Sequence, residues 1–526
     1  LKRVLLVSAF IMFFKKNISL ILPNKLLAVT TSWVLLLQTA ASASRINPPL
    51  ENEDIVISHI TPRVTIQDSF QASRVCKRWN EIWSSNEAWK SYAQRLPGYE
   101  RALEREQKKH PGANVDYKAV FRTIVTLRFT IISPLITGGN ATAVSADVRV
   151  VVGTVGDSQV SNTLRAFRWT PEQGLQSLGT LNGGRYSKAT AVSADGRVAI
   201  GHASDGQACN TTRAFRWTSE QGLQSLGTLN GGYLSLASAV SADGQVVVGE
   251  AHDGQQDNTL RAFRWTPEQG LQSLGTLNGG CYSKAKVVSA DGRVVVGEAH
   301  DGQQDNTLRA AFRWTPEQGL QSLGTLNGGY LSSASAVSAD GQVIVGHAND
   351  GQAGNANRAF RWTPEQGLQS LGTLNGGRYS KAKAVSADGR VVVGWGKDGQ
   401  AGNATRAFRW TQEEGLQSLG TLNGGNYIRP AAMSADGRVV VGYAADGQAC
   451  NDLRSFIWYN EEIGMISLQA ALGGILPSDV TLESAKHISA DGTMVIGKTK
   501  DADVYWYAYV SRYDVLAQEG INLLRQ

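Results

Sequence analysis

The sequence is poor in the residues that staple, ligate or catalyse. Its 526 residues hold four cysteines, Cys76, Cys209, Cys281 and Cys450, scattered and with no Cys-x-x-Cys pair. That spacing excludes a disulfide framework and a cysteine zinc site. The seven histidines are spread out, and neither Gly-x-Ser-x-Gly nor His-Glu-x-x-His occurs, so no catalytic constellation suggests itself and an enzyme is not expected. Charge of one sign is also scarce. Against 45 acidic residues stand 51 basic ones, a net +6, too mild over this length to argue nucleic-acid binding without a concentrated patch. Of two apolar runs near the start, Val4–Phe14 and Leu26–Leu37, the second is 12 residues long, short for a membrane span.

What is plentiful is glycine, 57 residues, and it recurs in register. From about residue 137 onward the chain repeats one unit that reads Leu-Arg-Ala-Phe-Arg-Trp-Thr-Pro-Glu-Gln-Gly-Leu-Gln-Ser-Leu-Gly-Thr-Leu-Asn-Gly-Gly and then Ser-Ala-Asp-Gly-Arg-Val-Val-Val-Gly. The aspartates of its Ser-Ala-Asp triplet are Asp147, Asp195, Asp243, Asp291, Asp340, Asp388, Asp436 and Asp491, with steps of 48, 48, 48, 49, 48, 48 and 55 residues. Within one unit four short runs rich in β-branched and aromatic residues, 285–290, 294–299, 309–315 and 319–326, have strand length. Asp291-Gly292 is expected to supply the positive φ angles of a tight hairpin, and Pro316–Gly319 closes a second one. A four-stranded unit of this period is a propeller blade, which stacks on its neighbours because it cannot bury both faces alone. Phe312 and Trp314 are the natural filling between blades.

The expected fold is therefore mainly β, a seven- or eight-bladed propeller over 137–526 built from eight units, with an open solenoid as the alternative. The first unit lacks its hairpin glycine (Asp147-Val148) and the last is degenerate, as a cap or ring closure would require. The repeat resembles the HAF-type repeats, with Arg-Ala-Phe-Arg-Trp (Arg165–Trp169) for the His-Ala-Phe triplet before Trp. Leu-Gly-Thr-Leu-Asn-Gly-Gly (Leu178–Gly184) stands for the glycine-rich close of that family. The resemblance implies a propeller-like architecture and no single activity.

Upstream, residues 1–45 read as a leader: basic residues, an apolar stretch, then Ala41-Ser42-Ala43 as a small-residue cleavage site. An uncleaved anchor, which would be the chain's one link to a membrane, and a start placed elsewhere are the alternatives. Residues 46–97 are expected to be helical, with apolar residues at Val75, Trp79, Ile82, Trp83 and Trp89. A small bundle with tryptophans in its core accounts for that pattern. The block also resembles an F-box, through Pro49 and Glu51 in its opening, Ile57-Ser58-His59-Ile60, Val75-Cys76-Lys77-Arg78-Trp79, and the closing Trp89. The resemblance implies docking on the Skp adaptor of a cullin ubiquitin ligase through Pro49, Glu51, Ile57, Ile60, Val75, Cys76 and Trp79. Residues 98–136 form a connector, in which Ile131–Leu135 resembles a stray fourth strand able to pair with the last unit.

Both hairpin turns of a unit should emerge on one face of the ring and the longer links on the other. The links that follow Leu-Asn-Gly-Gly vary most between units. They offer a candidate target-binding face of Arg185, Tyr186, Lys188, Tyr233, Tyr282, Lys284, Tyr330, Arg378, Tyr379, Lys381, Tyr427 and Arg429, unless the tyrosines merely cover blade junctions. The Asp-Gly-Gln loops hold too few carboxylates for calcium, and no cofactor is implied. Two readings of function remain. One is an F-box receptor that links a protein held by the propeller to a Skp–cullin ligase, as a secreted bacterial effector acting in a host cytoplasm. The other is an exported periplasmic, surface or extracellular propeller that binds a glycan or protein.

Overall fold

A computed structural model describes the strand Phe129–Ile132 and, apart from short loop segments, residues 139–510, with a few isolated positions upstream. The chain divides into two compact units, Leu1–Leu127 with Tyr513–Gln526, and Arg128–Arg512. In the first unit the described positions include Lys90, Leu103 and Gln107, each helical. The leader and the seven F-box positions named above lie outside the described residues.

The second unit is an eight-bladed β-propeller made of eight four-stranded antiparallel sheets. Seven blades follow the chain directly. In blade 4 the strands are Ser283–Val288, Val295–His300, Arg309–Thr315 and Gly319–Ser322, hydrogen-bonded in that order. Blade 8 is assembled from both ends: Leu482–Ile488, Met494–Thr499 and Tyr505–Tyr509 are completed by Phe129–Ile132, which pairs antiparallel with Tyr505–Tyr509. The stray strand expected at Ile131–Leu135 thus exists, two residues earlier. The propeller accordingly begins upstream of residue 137, inside the segment assigned to the connector. Among the described residues, the last unit thus takes its fourth strand from ahead of the first.

The first strand of each blade lies nearest the ring axis, since these strands reach their counterparts in the next blade: Thr142 Oγ1 donates to the Ala189 carbonyl and Thr190 Oγ1 to that of Ala237. The fourth strands are outermost and partly exposed. Blades stack through their third strands. Phe312, fully buried, packs against Val246, Val248 and Ala262 of blade 3, and Trp314 joins the same cluster half-buried. Equivalent clusters recur at other junctions.

The Ser-Ala-Asp triplet fastens the ring. Each central alanine donates its N–H to the carbonyl of the next one, from Ala146 to Ala194, Ala242, Ala290, Ala339, Ala387, Ala435 and Ala490, and Ala490 donates to Ala146, with N···O distances of 2.8 to 3.2 Å. The flanking serine and aspartate shape the turn. Ser193 Oγ donates to Asp195 Oδ1 at 2.6 Å, and Oδ1 also accepts from the Arg197 N–H. The turn is longer than the tight Asp-Gly hairpin expected from sequence. It runs from Ser289 to Val294, and of the Asp291-Gly292 pair only the glycine takes a positive φ, 73°. A Cβ at the equivalent Gly196 would sit 2.4 Å from Val150 Cγ2 of the preceding blade. At the seam the geometry is solved differently: Val148 adopts φ 55° and is fully buried beside Met494 of blade 8.

Candidate recognition face

Each residue of the Arg-Ala-Phe-Arg-Trp motif has a separate task. The first arginine holds the following crossover: Arg213 Nη1 donates to the Tyr233 carbonyl at 2.8 Å and Arg358 Nη1 to that of Arg378 at 2.9 Å. The second arginine stacks on the next blade's tryptophan, Arg216 on Trp265 and Arg264 on Trp314, at 5.9 and 5.8 Å from the ring centroid. The alanine leaves room on the neighbouring strand, and the phenylalanine fills the junction.

The crossovers run from the outer strand of one blade to the inner strand of the next, so they converge on the mouth of the central opening. Six are latched in one way. The asparagine of Leu-Asn-Gly-Gly takes a left-handed φ and its Nδ2 donates to the aspartate opening the next blade's long loop, as Asn278 does to Asp301 at 2.8 Å. The same pairs are Asn182–Asp205, Asn230–Asp253, Asn327–Asp350, Asn375–Asp398 and Asn423–Asp446. The Asp-Gly-Gln carboxylates are thus engaged as structural clamps. Among the described residues no group of three histidines, cysteines or acids could hold a metal ion.

This construction sorts the candidate residues. The first position after the glycines, held by Arg185, Tyr233, Cys281, Tyr330 and Arg378, is exposed in every copy; Tyr233 and Tyr330 are 52% and 56% exposed. The second position is half-buried and packs on its own blade. Tyr186 lies at 2.5 Å from Thr212 Oγ1, Tyr282 lies over His300 with centroids 5.2 Å apart, and Tyr427 lies against Tyr443 at 6.2 Å. Tyr379 occupies this same half-buried position. Lys188, Lys284, Lys381 and Arg429 belong to the inner strands and line the wall of the opening rather than its rim.

The wall holds residues that reading along the chain misses. Opposite Lys188, Leu236, Lys284, Ser333, Lys381 and Arg429 the second strand carries His202, Glu250, Glu298, His347, Trp395 and Tyr443. Two residues along the inner strand come Thr190, Ser238, Lys286, Ser335, Lys383, Ala431 and, in blade 8, Lys486, each at a β-bulge. A bulge leaves its extra residue outside the ladder and re-aims it. The copies are otherwise almost uniform, so their differences collect on one structure. Comparing the copies column by column is the signal that finds it.

Electrostatically the wall has two halves. In blades 3 to 5 charges are matched: Lys284 Nζ lies 2.7 Å from Glu250 Oε1, and Lys286 Nζ lies 2.8 Å from both Glu298 Oε2 and Ser333 Oγ. Burial would raise the Glu298 pKa, but the hydrogen bond and charge of Lys286 and the charge of Arg309 hold it below the usual carboxylate range. Arg309 reaches this group because blade 4 carries one extra residue. Ala310, opposite Ala299, stands where Arg261 stands opposite Ala251 in blade 3. A one-residue slip moves a side chain to the other face of a sheet, and Arg309 Nη1 lies 3.8 Å from Glu298 Oε1. Burial, then Glu250 and Glu298, push the Tyr282 hydroxyl up to about 12. Burial and neighbouring lysines pull His202 and His347 down to about 4, so both are neutral at pH 7.

The fold and wall define an eight-bladed β-propeller repeat protein. No family model and no curated protein matches the sequence. Among solved structures it is similar to an oligogalacturonate lyase from Vibrio parahaemolyticus, at 12% identity over 60% of this chain and 89% of the other, TM-score 0.39. It is likewise similar to TolB from Acinetobacter baumannii, at 12% identity over 71% and 85%, TM-score 0.31. A third is the Dos1 propeller, at 12% identity over 72% and 94%, TM-score 0.43. Likeness at this level carries no functional inference.

Proposed function

We propose that this protein is a recognition scaffold whose propeller holds a target protein at the long-loop mouth, and that its N-terminal segment couples that target to a Skp–cullin ubiquitin ligase. The observation behind the first half is the concentration of copy-to-copy differences on the rim and wall of one opening, where most of the repeat varies far less. A purely structural ring has no need of it: Leu236, Ser333, Lys381 and Arg429 occupy equivalent inner-strand positions in equally regular blades. The second half rests on the F-box resemblance of Pro49 to Trp89.

The test is calorimetric titration of the full chain with a purified Skp adaptor, beside a Val75→Asp, Trp79→Ala variant whose propeller melts normally. Micromolar binding that the variant loses supports the adaptor role. No binding by the folded wild type removes the ubiquitin link and leaves the exported binding propeller as the function.

A further inference from the structure

We propose that the sector of the channel wall built by blades 6 to 8 is a binding site for a multiply charged anion, a ligand presenting two or more phosphate or carboxylate groups. This deepens the reading of the mouth as a recognition surface and rests on it.

Three successive blades put Lys381, Lys383, Arg429, Lys486 and Lys498 on their inner and second strands. Lys381, Lys383, Arg429 and Lys486 make no ion pair among the described residues, in contrast to Lys284 and Lys286 of blade 4. One carboxylate, Glu483, acts on Lys486 and offsets part of the charge. The positions that carry Glu250 and Glu298 in blades 3 and 4 carry Trp395, Tyr443 and Lys498 here.

The aromatic rings hold the cations in place. Arg429 Cζ lies 5.0 Å from the Trp395 ring centroid and 5.6 Å from that of Tyr427, and Lys486 Nζ lies 5.3 Å from that of Tyr443. Such contacts orient a cation while leaving its N–H donors for an oxygen acceptor. Arg429 Nε is buried with no hydrogen-bond partner. The group also repels itself: burial and the charge of Arg429 depress the Lys381 pKa, and burial and Lys498 depress that of Lys486. Like charges held together with only Glu483 to offset them in part are an unfavourable arrangement that a bound anion relieves. Folding does not require them, because Thr190, Leu236 and Ser333 serve at the same positions elsewhere.

The experiment is calorimetric titration of the full chain with tripolyphosphate and, separately, citrate. Expected are saturable binding of at least one, weakening as sodium chloride is raised, and an affinity loss of about tenfold or more in each of Lys381→Met, Arg429→Met and Lys486→Met. Lys188→Met, the same strand position in blade 2, should change affinity less than twofold, on the order of experimental scatter for a remote site. Tripolyphosphate alone identifies phosphate as the recognised group, and citrate alone identifies carboxylate. No binding of either by folded protein, or equal losses at Lys188 and Lys381, overturns the proposal. If the same protein still captures its target, the anion site falls and the recognition reading stands.

Discussion

The amide of Ala490 donates to the carbonyl of Ala146 at 2.9 Å and so closes, between the last blade and the first, a circle of backbone hydrogen bonds that joins all eight. The second closure is the strand Phe129–Ile132, paired with Tyr505–Tyr509 at the outer edge of blade 8. The seam is thus fastened on the inside by an amide and on the outside by a strand.

Thr130→Pro with Ile131→Pro should open the outer fastening, since one of these two N–H groups faces the ladder whichever way the strand is set. Stability should fall by roughly 1 to 3 kcal/mol, read from chemical unfolding. An unchanged midpoint would mean the inner circle suffices.

Val148 is the strained point of the seam. A left-handed β-branched residue costs about 1 to 2 kcal/mol, while burying its side chain against Met494 returns about 1.5 to 3 kcal/mol. Val148→Gly should therefore destabilise slightly, by about 1 kcal/mol, although it restores the glycine that the seven other turns carry. A stabilised variant would show that strain outweighs packing there.

The asparagine latch should show coupling. Asn278→Ala and Asp301→Ala should each cost about 1 to 2 kcal/mol, with a double-mutant interaction energy of about 1 kcal/mol. Additive effects would mean that the 2.8 Å contact contributes little to stability.

Acid should weaken the propeller before its carboxylates titrate. His202 and His347 have folded pKa values of about 4 against 6.5 for the free group, so the unfolded chain binds more protons in between. Their stabilising contribution is fully present above pH 6.5 and is lost as pH falls toward 4, by roughly 1 to 3 kcal/mol for each histidine. His347→Gln should flatten the melting temperature against pH over that window.

Deleting Ala310 should return blade 4 to the 48-residue phase of its neighbours. Arg309 then moves to the face where Arg261 holds the Cys281 carbonyl, and Glu298 loses one of its two cations. A crystal structure of the deletion should place the guanidinium against the Tyr330 carbonyl, and the Glu298 pKa should rise.

Much of this architecture was legible in the sequence because it is periodic: strand length, turn residues and the Phe312 and Trp314 packing all repeat. Blade number was not, since eight Ser-Ala-Asp triplets do not say where the fourth strand of the last unit comes from. Asp291 and Gly292 read as a two-residue turn because the side chain of Ser289, which widens it, is local information only once the fold brings Val294 back. The rim was legible as varying loops, yet the exposed Tyr233 and the packed Tyr282 looked alike in sequence. Of the wall, Lys188, Lys284, Lys381 and Arg429 were legible as the ends of those loops, but Glu250, Trp395 and Lys383 were missed because they sit inside strands, where a changed residue between constant neighbours looks like drift until the ring puts the columns side by side.

The alanine circle has one further effect, on the field inside the opening. Each peptide group carries a dipole of about 3.5 D, and here eight hydrogen bonds between successive alanines point the same way round a closed loop. Their tangential components cancel by symmetry, so this circle adds no net dipole in the plane of the ring. The charges met by an entering solute are then those of side chains, and exchanging Glu250 or Lys383 changes their local sign without touching the scaffold.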